Sequence, residues 1–114
     1  MSDCLFCGIA AGSVDATVIL DRDRTLAFRD LNPVAPTHVL VITKDHHENV
    51  GALAEADHEL MAELMATAYA VAQQEGIVES GYRSVFNSGR AAHQSVQHVH
   101  LHVLGGRDMG WPPG

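Results

Sequence analysis

Residues 98–103 read His-Val-His-Leu-His-Val, an unbroken alternation of imidazole and aliphatic side chains. Successive side chains of a β-strand point to opposite faces, so a period of two predicts a strand with His98, His100 and His102 on one face and Val99, Leu101 and Val103 on the other. The aliphatic set needs an apolar layer to pack on, which commits the segment to a sheet covered on at least one side. A half-exposed strand can use histidine as its polar member, and for a single histidine that account would suffice. Three in register belong to a chain of 114 residues with eight histidines, one Trp and three Phe, and they follow a small polar loop at 88–95. Chemistry on that face is the better account.

The remaining periodicities supply the rest of the fold. Residues 38–43 (His-Val-Leu-Val-Ile-Thr) form a nearly continuous apolar run and predict a central strand buried on both faces. Its cover is a helix from about 55 to 75, where Leu60, Met61, Leu64, Met65, Ala68, Val71 and Ala72 make one stripe and Gly76 can end it. Leu5, Phe6, Ile9 and Ala10 predict a short helix over 4–11, capped by Gly12. Strands are expected at 17–21 and 25–30, joined as a hairpin, and at 82–87 and 97–104. Two prolines break the chain at Asn32-Pro-Val-Ala-Pro36. This order lacks the regular strand-helix alternation of a parallel sheet. It predicts an α+β fold with a mostly antiparallel five-stranded sheet, one long and one short helix, in a single domain spanning 1–114.

A formal net charge of -7 argues against a nucleic-acid polymer as partner, because sequence-independent binding needs clustered Lys and Arg. A small anion held by backbone N–H groups is compatible with that charge. No run of about 18 apolar residues is present to span a bilayer, so no membrane partner is expected. The start, Met1-Ser-Asp-Cys4, has neither the basic residues nor the apolar core of a secretory signal, and the cytoplasm is the expected location. In that setting Cys4-x-x-Cys7 reads as half a metal site or a redox pair, not a structural disulfide.

The histidine strand admits two chemistries. Two neutral imidazoles can ligate a catalytic metal, or one can attack as a nucleophile while its neighbours fix its tautomer and move protons. A mononuclear metal site usually recruits a third ligand and a carboxylate base, yet no Asp or Glu lies between Ser80 and Arg107. The nucleophile is favoured.

The stretch His98-Val-His-Leu-His-Val-Leu-Gly-Gly-Arg107, with Gln94-Ser-Val96 before it and Trp111-Pro-Pro-Gly114 after it, resembles the histidine triad (HIT) family, specifically its Hint branch of nucleoside phosphoramidate hydrolases. The likeness extends through Phe28-Arg-Asp-Leu31, Ala35-Pro-Thr-His38 and Tyr82-Arg-Ser-Val-Phe-Asn87. It implies that His100 attacks phosphorus and is transiently nucleotidylated, with a main-chain carbonyl holding the proton on its other nitrogen. It implies that His102, Ser95 and the loop amides hold the non-bridging phosphate oxygens, and that His38 helps relay a proton to the leaving amine. Asp30 would accept from the ribose hydroxyls. Phe6, Ile9, Phe28 and Leu31, with Leu5, would line the slot for the base, although a core role would serve these apolar residues equally well. Asn87 and Gln94 would offer amides near phosphate and ribose, and Trp111 would shape the leaving-group side, often across a dimer. His93 departs from the pattern, standing where many members have Gly; it either narrows the site or points outward.

Some HIT members, and the related galactose-1-phosphate uridylyltransferases, bind zinc through Cys-x-x-Cys, a distant histidine and the first motif histidine. The resemblance therefore implies Cys4, Cys7, His46 and His98 as ligands of a structural zinc, with His47 an alternative to His46 and no catalytic metal or organic cofactor. Plain buried cysteines are the competing account. The implied activity is hydrolysis of purine nucleoside 5'-phosphoramidates, AMP- or GMP-amine conjugates, by a homodimer. Two alternatives stand beside it. A dinucleoside polyphosphate hydrolase would use the same nucleophile, but the Trp-Pro-Pro-Gly tail speaks against it. A non-catalytic nucleotide-binding module is disfavoured by the intact set His38, His98, His100 and His102.

Overall fold

The computed structural model describes residues 4–114; Met1, Ser2 and Asp3, part of the N-terminal reading above, lie outside the described residues. Five strands, β1 (Val18–Asp21), β2 (Thr25–Arg29), β3 (Thr37–Thr43), β4 (Tyr82–Phe86) and β5 (His100–Gly105), form one sheet. Their order is β1-β2-β3-β5-β4 and every pairing is antiparallel. The expected α+β class and five-stranded sheet are what the chain adopts.

Register divides the side chains between two faces. On the central pair, His102 lies opposite Leu40 and His100 opposite Ile42, while Val103 lies opposite Val39 and Leu101 opposite Val41. Directly opposed residues share a face, so one face carries His38, Leu40, Ile42, His100 and His102, and the other carries Val39, Val41, Leu101 and Val103. On β2, Leu26 and Phe28 join the histidine face because they oppose Ile42 and Leu40. The second face is wholly buried against helix α3 (His58–Gln74), through Leu60, Leu64, Ala68, Val71 and Ala72. Burying a Leu or Val side chain is worth about 1.5–3 kcal/mol, so this face supplies the bulk of the packing. Two polar links set how α3 crosses the sheet: Thr25 Oγ1 lies 2.8 Å from Thr67 Oγ1, and Arg29 pairs with Glu75 through two 2.9 Å bonds.

The helical segment expected from about 55 to 75 begins later and has a neighbour. Helix α2 (Val50–Ala56) precedes α3, and Asp57, extended at φ -156°, separates them. Asp57 Oδ1 accepts from the Leu60 amide at 3.0 Å as the N-cap of α3, and Arg24 holds its other oxygen at 2.7 Å. An Asp that satisfies the first orphan amides of a new helix is a start signal, not a mid-helix residue. The short helix α1 (Leu5–Ala10) forms as expected and lies over the histidine face, where Phe6 and Ile9 pack with Leu26, Phe28, Leu40 and Ile42. Among the described residues no helix is long and apolar enough to cross a membrane.

The last strand also differs from expectation. It starts at His100, not at 97. The Val99 amide donates to the His47 carbonyl at 2.7 Å, which takes residues 98–99 out of the β3–β5 ladder and gives His98 surroundings of its own.

Candidate active site and metal cluster

Helix α1 and the start of β5 wall a cleft on the histidine face. Leu5, Phe6 and Ile9 enter from α1, Phe28 from β2, Asp30 and Leu31 from the turn after it, Ser95 from the polar loop, and His100 and His102 from β5. Apolar side chains and imidazoles line it together, as in a slot that takes a ligand with an apolar and a polar part. Phe6 stands edge-on to Phe28, centroids 5.5 Å apart, and edge-on to His100 at 5.0 Å and 81°.

The hydrogen-bond partners of each imidazole assign its tautomer. His100 Nδ1 lies 2.7 Å from the His98 carbonyl, which can only accept, so Nδ1 carries the proton and Nε2 the lone pair. The Val34 amide donates to His38 Nδ1 at 3.1 Å, so the His38 proton sits on Nε2. That N–H donates to His102 Nδ1 at 2.9 Å, which leaves the His102 proton on Nε2. Asp30 Oδ2 lies 3.4 Å from the same His38 nitrogen. Burial pushes the His100 and His38 imidazoles below their ordinary value; the His98 carbonyl and then the Asp30 carboxylate oppose it at His100, and Asp30 opposes it at His38. His102 is pushed down to about 4 by burial first and by repulsion from His100 and His38 second. Desolvation penalises the charged form of each ring, and the tautomers above are those of neutral rings.

The loop between β4 and β5 is tied by its own atoms. Gln94 is buried; its Oε1 accepts from the Gly89 amide at 2.8 Å and its Nε2 donates to the carbonyls of Glu48 and Val96 at 2.7 and 3.0 Å. The amide expected near the ribose is thus spent on the loop's main chain. His93 ends a 3-10 turn (Arg90–Ala92) in the left-handed region at φ 67°, with an exposed side chain that does not line the cleft. Asn87 follows β4, two residues beyond Val85, the register partner of His102, and also lies outside the cleft lining. Trp111 is 82% exposed beyond the end of β5 and does not line the cleft. Asp15, Arg29, Leu40 and Val96 do line it without having been singled out in the sequence. Leu40 was recoverable, since it is two residues from His38 on one strand.

A second constellation lies behind α1. One donor atom from each of Cys4, Cys7, His46 and His98 falls within 4.8 Å of every other. Cys4 Sγ and Cys7 Sγ lie 3.3 and 3.5 Å from His98 Nδ1, and Cys7 Sγ lies 3.3 Å from His46 Nδ1. Ligands of a tetrahedral zinc, at about 2.3 Å for sulfur and 2.0–2.1 Å for nitrogen, stand about 3.3–3.8 Å apart, and these three sulfur–nitrogen distances match that range. The donor set fits too. His98 is fully buried and its Nε2–H donates to the Thr43 carbonyl at 2.7 Å, which turns the Nδ1 lone pair toward the sulfurs as an outer partner does for a metal-bound histidine. His46 joins the cluster, whereas His47 contributes its main-chain carbonyl to Val99. Asp30, His38 and His102 also gather within reach of one another, but in the hydrogen-bonded arrangement already described.

Comparison with known proteins agrees with this geometry. The HIT domain model matches residues 11–109. The chain is 47% identical over a 115-residue alignment to the 14 kDa zinc-binding protein of Zea mays, covering 99% of this chain and 89% of that one. It is 43% identical to the adenylylsulfatase HINT1 of Arabidopsis thaliana, covering 99% and 78%. A HIT family hydrolase from Legionella pneumophila Philadelphia 1 superposes with a TM-score of 0.94 at 49% identity, covering 98% of this chain and 100% of that one. From its alternating histidines, its sheet and these relatives, the chain belongs to the histidine triad family and, within it, to the Hint-like branch.

Proposed function

We propose that this chain is a hydrolase of purine nucleoside 5'-phosphoramidates, releasing the nucleoside monophosphate and an amine through a nucleotidyl-His100 intermediate. The observation that carries the reading is the 2.7 Å contact between His100 Nδ1 and the His98 carbonyl, which leaves an unprotonated Nε2 on a residue that lines the cleft. The base enters the slot of Phe6, Ile9, Phe28 and Leu31, and Asp30 receives the ribose hydroxyls. Nε2 of His100 then attacks phosphorus while His102 Nε2–H and Ser95 hold the non-bridging oxygens, where charge accumulates.

Proton traffic falls to His38 and His102. The bound phosphate's negative charge raises the proton affinity of the pair, which takes up one proton with the substrate; both ring lone pairs accept hydrogen bonds in the free protein, so this uptake gives up the Val34 amide contact to His38 Nδ1. As the Nε2–P bond forms and the P–N bond breaks, the departing nitrogen receives that proton and leaves as an amine. Water then attacks phosphorus, the Nε2–P bond breaks, and the water's proton returns to the pair. Two inversions give retention at phosphorus. Cys4, Cys7, His46 and His98 would hold a zinc ion whose contribution is structural, since four protein donors leave no open position. A homodimer is the proposed assembly: β4 is a sheet edge, and Trp111 and Leu31 are widely exposed.

The test is steady-state hydrolysis of AMP-amine and GMP-amine conjugates, beside adenylyl sulfate and a diadenosine polyphosphate, by the wild type and His100→Gly. Adenylyl sulfate is included because the Arabidopsis thaliana relative is named for it. The expected result is a preference for the phosphoramidates, turnover abolished in the variant, and AMP binding preserved. Wild-type turnover confined to another substrate, or activity retained by His100→Gly, would reject the reading.

A further inference from the structure

Helix α1 has six residues, and helices shorter than about 12–15 residues are marginal in water on their own. Yet this helix brings Phe6 and Ile9 to the cleft and sets the Phe6 ring against the ring of His100. Its N-cap is Cys4, whose sulfur accepts from the Cys7 amide at 3.4 Å. In sequence Phe6 therefore lies between the two cysteines whose thiols face His98 and His46, and whatever fixes those thiols also fixes the backbone that carries Phe6.

A second connection runs through the main chain. The His98 imidazole faces the thiols with Nδ1 and donates from Nε2 to the Thr43 carbonyl, while the carbonyl of the same residue receives the His100 Nδ1 proton. The next amide, Val99, is bonded to the carbonyl of His47, which follows His46. One residue thus presents its side chain to the metal cluster and its backbone to the nucleophile.

We propose that the Cys4, Cys7, His46 and His98 cluster, once it holds zinc, is a positioning device for the nucleotide site: it seats Phe6 against His100 and fixes the His98 carbonyl that keeps the His100 proton on Nδ1. The inference rests on the reading of His100 as nucleophile and of the cleft as a nucleotide site. Cys4, Cys7 and His46 do not line the cleft. They are positioning residues, and their effect reaches the cleft through α1 and the onset of β5.

The experiment uses protein with 15N-labelled histidine at pH 8, zinc-loaded, chelator-stripped, and as Cys7→Ser, with far-UV circular dichroism and melting to follow the fold. Imidazole 15N shifts report the His100 tautomer, and calorimetry reports AMP affinity, so neither readout requires turnover. The loaded protein should show the single Nδ1–H tautomer. Both unloaded forms should show mixed tautomers and AMP binding weakened by about tenfold or more. Leu64→Ala, on the opposite face of the sheet, is the control for general destabilisation and should leave both signals unchanged. Cys7→His, which keeps four metal donors, should recover both signals, and it carries the test if the unloaded forms do not fold. A single tautomer with AMP affinity within twofold after zinc loss would overturn the proposal. So would equal changes in Leu64→Ala, or zinc-bound Cys7→His that fails to recover. If the loaded protein does not bind AMP at all, the nucleotide reading fails, while the tautomer comparison still judges the His98 link.

Discussion

His38 Nε2 lies 2.9 Å from His102 Nδ1 across 64 residues of sequence, and the Val34 amide on the far side of the His38 ring decides which of the two donates. The direction matters because it leaves the remaining proton of His102 on Nε2. Replacing His38 by Ala removes both the orientation of His102 and half of the proton-carrying pair. We expect kcat for an AMP-amine conjugate to fall on the order of 10²-fold with little change in KM, since the lost interaction operates in the transition state. Steady-state kinetics on the purified variant check this, and an unchanged kcat would remove His38 from the proton path.

Burial gives the same face a pH signature. His102 is lowered from its ordinary 6.5 to about 4. Between these values the unfolded chain binds the proton and the folded chain does not, so stability rises with pH across the window. This contribution is complete above about pH 6.5 and fades as pH falls toward 4. Urea unfolding from pH 7.5 to 4.5 should show little change down to about pH 6.5 and a decreasing free energy below it, and His102→Gln should flatten part of that slope. An identical slope in the variant would contradict the assignment.

His93 occupies the left-handed region at φ 67° and ψ 39°. That conformation costs a residue with a Cβ roughly 1–2 kcal/mol, against roughly 0.5–1 kcal/mol of extra chain entropy if glycine is used. His93→Gly should therefore stabilise the protein by roughly 0.5–1 kcal/mol in urea titration. Because the side chain is exposed and does not line the cleft, AMP affinity should stay within about twofold of wild type. A large change in affinity would mean that the imidazole reaches the nucleotide after all.

The cluster of Cys4, Cys7, His46 and His98 separates two adjacent histidines. His46 supplies a donor atom to it, while His47 supplies only a main-chain carbonyl to Val99. Protein purified without chelator should contain about one zinc per chain, bound by four donors. His46→Ala should lower that content and the melting temperature together, and His47→Ala should lower neither substantially. Elemental analysis and thermal melts decide the point; equal zinc in both variants would dismiss His46 as a ligand.

Much of the architecture was legible in local periodicity. The run at 38–43, the alternation at 98–103 and the stripe from Leu60 to Ala72 each name their element, because burial on one face imposes a repeat visible within a few residues. The misses have physical causes. Asp57 reads as an ordinary polar helix residue until Arg24 arrives from β2's side of the chain to fix it as a cap. For Gln94, a residue named for the ligand, the sequence gives no sign that its amide bonds the carbonyls of Glu48 and Val96 in the folded chain. His98 shares the alternation of His100 and His102 but not their strand, because the Thr43 and His47 carbonyls hold its ring and the following amide.

Spacing was thus enough to predict three imidazoles on one face of a strand in an antiparallel sheet, and the family resemblance was needed to name two thiols as partners of one of them. The division of labour among those imidazoles depended on the folded chain. A ring nitrogen donates or accepts according to what lies within about 3 Å of it, and here those partners are the His98, Thr43 and Val34 backbone groups and the ring of His38. Periodicity is a property of neighbouring residues, so the chain displays it before folding. Directional hydrogen bonds between groups as far as 64 residues apart exist only once the β3–β5 register has brought them together.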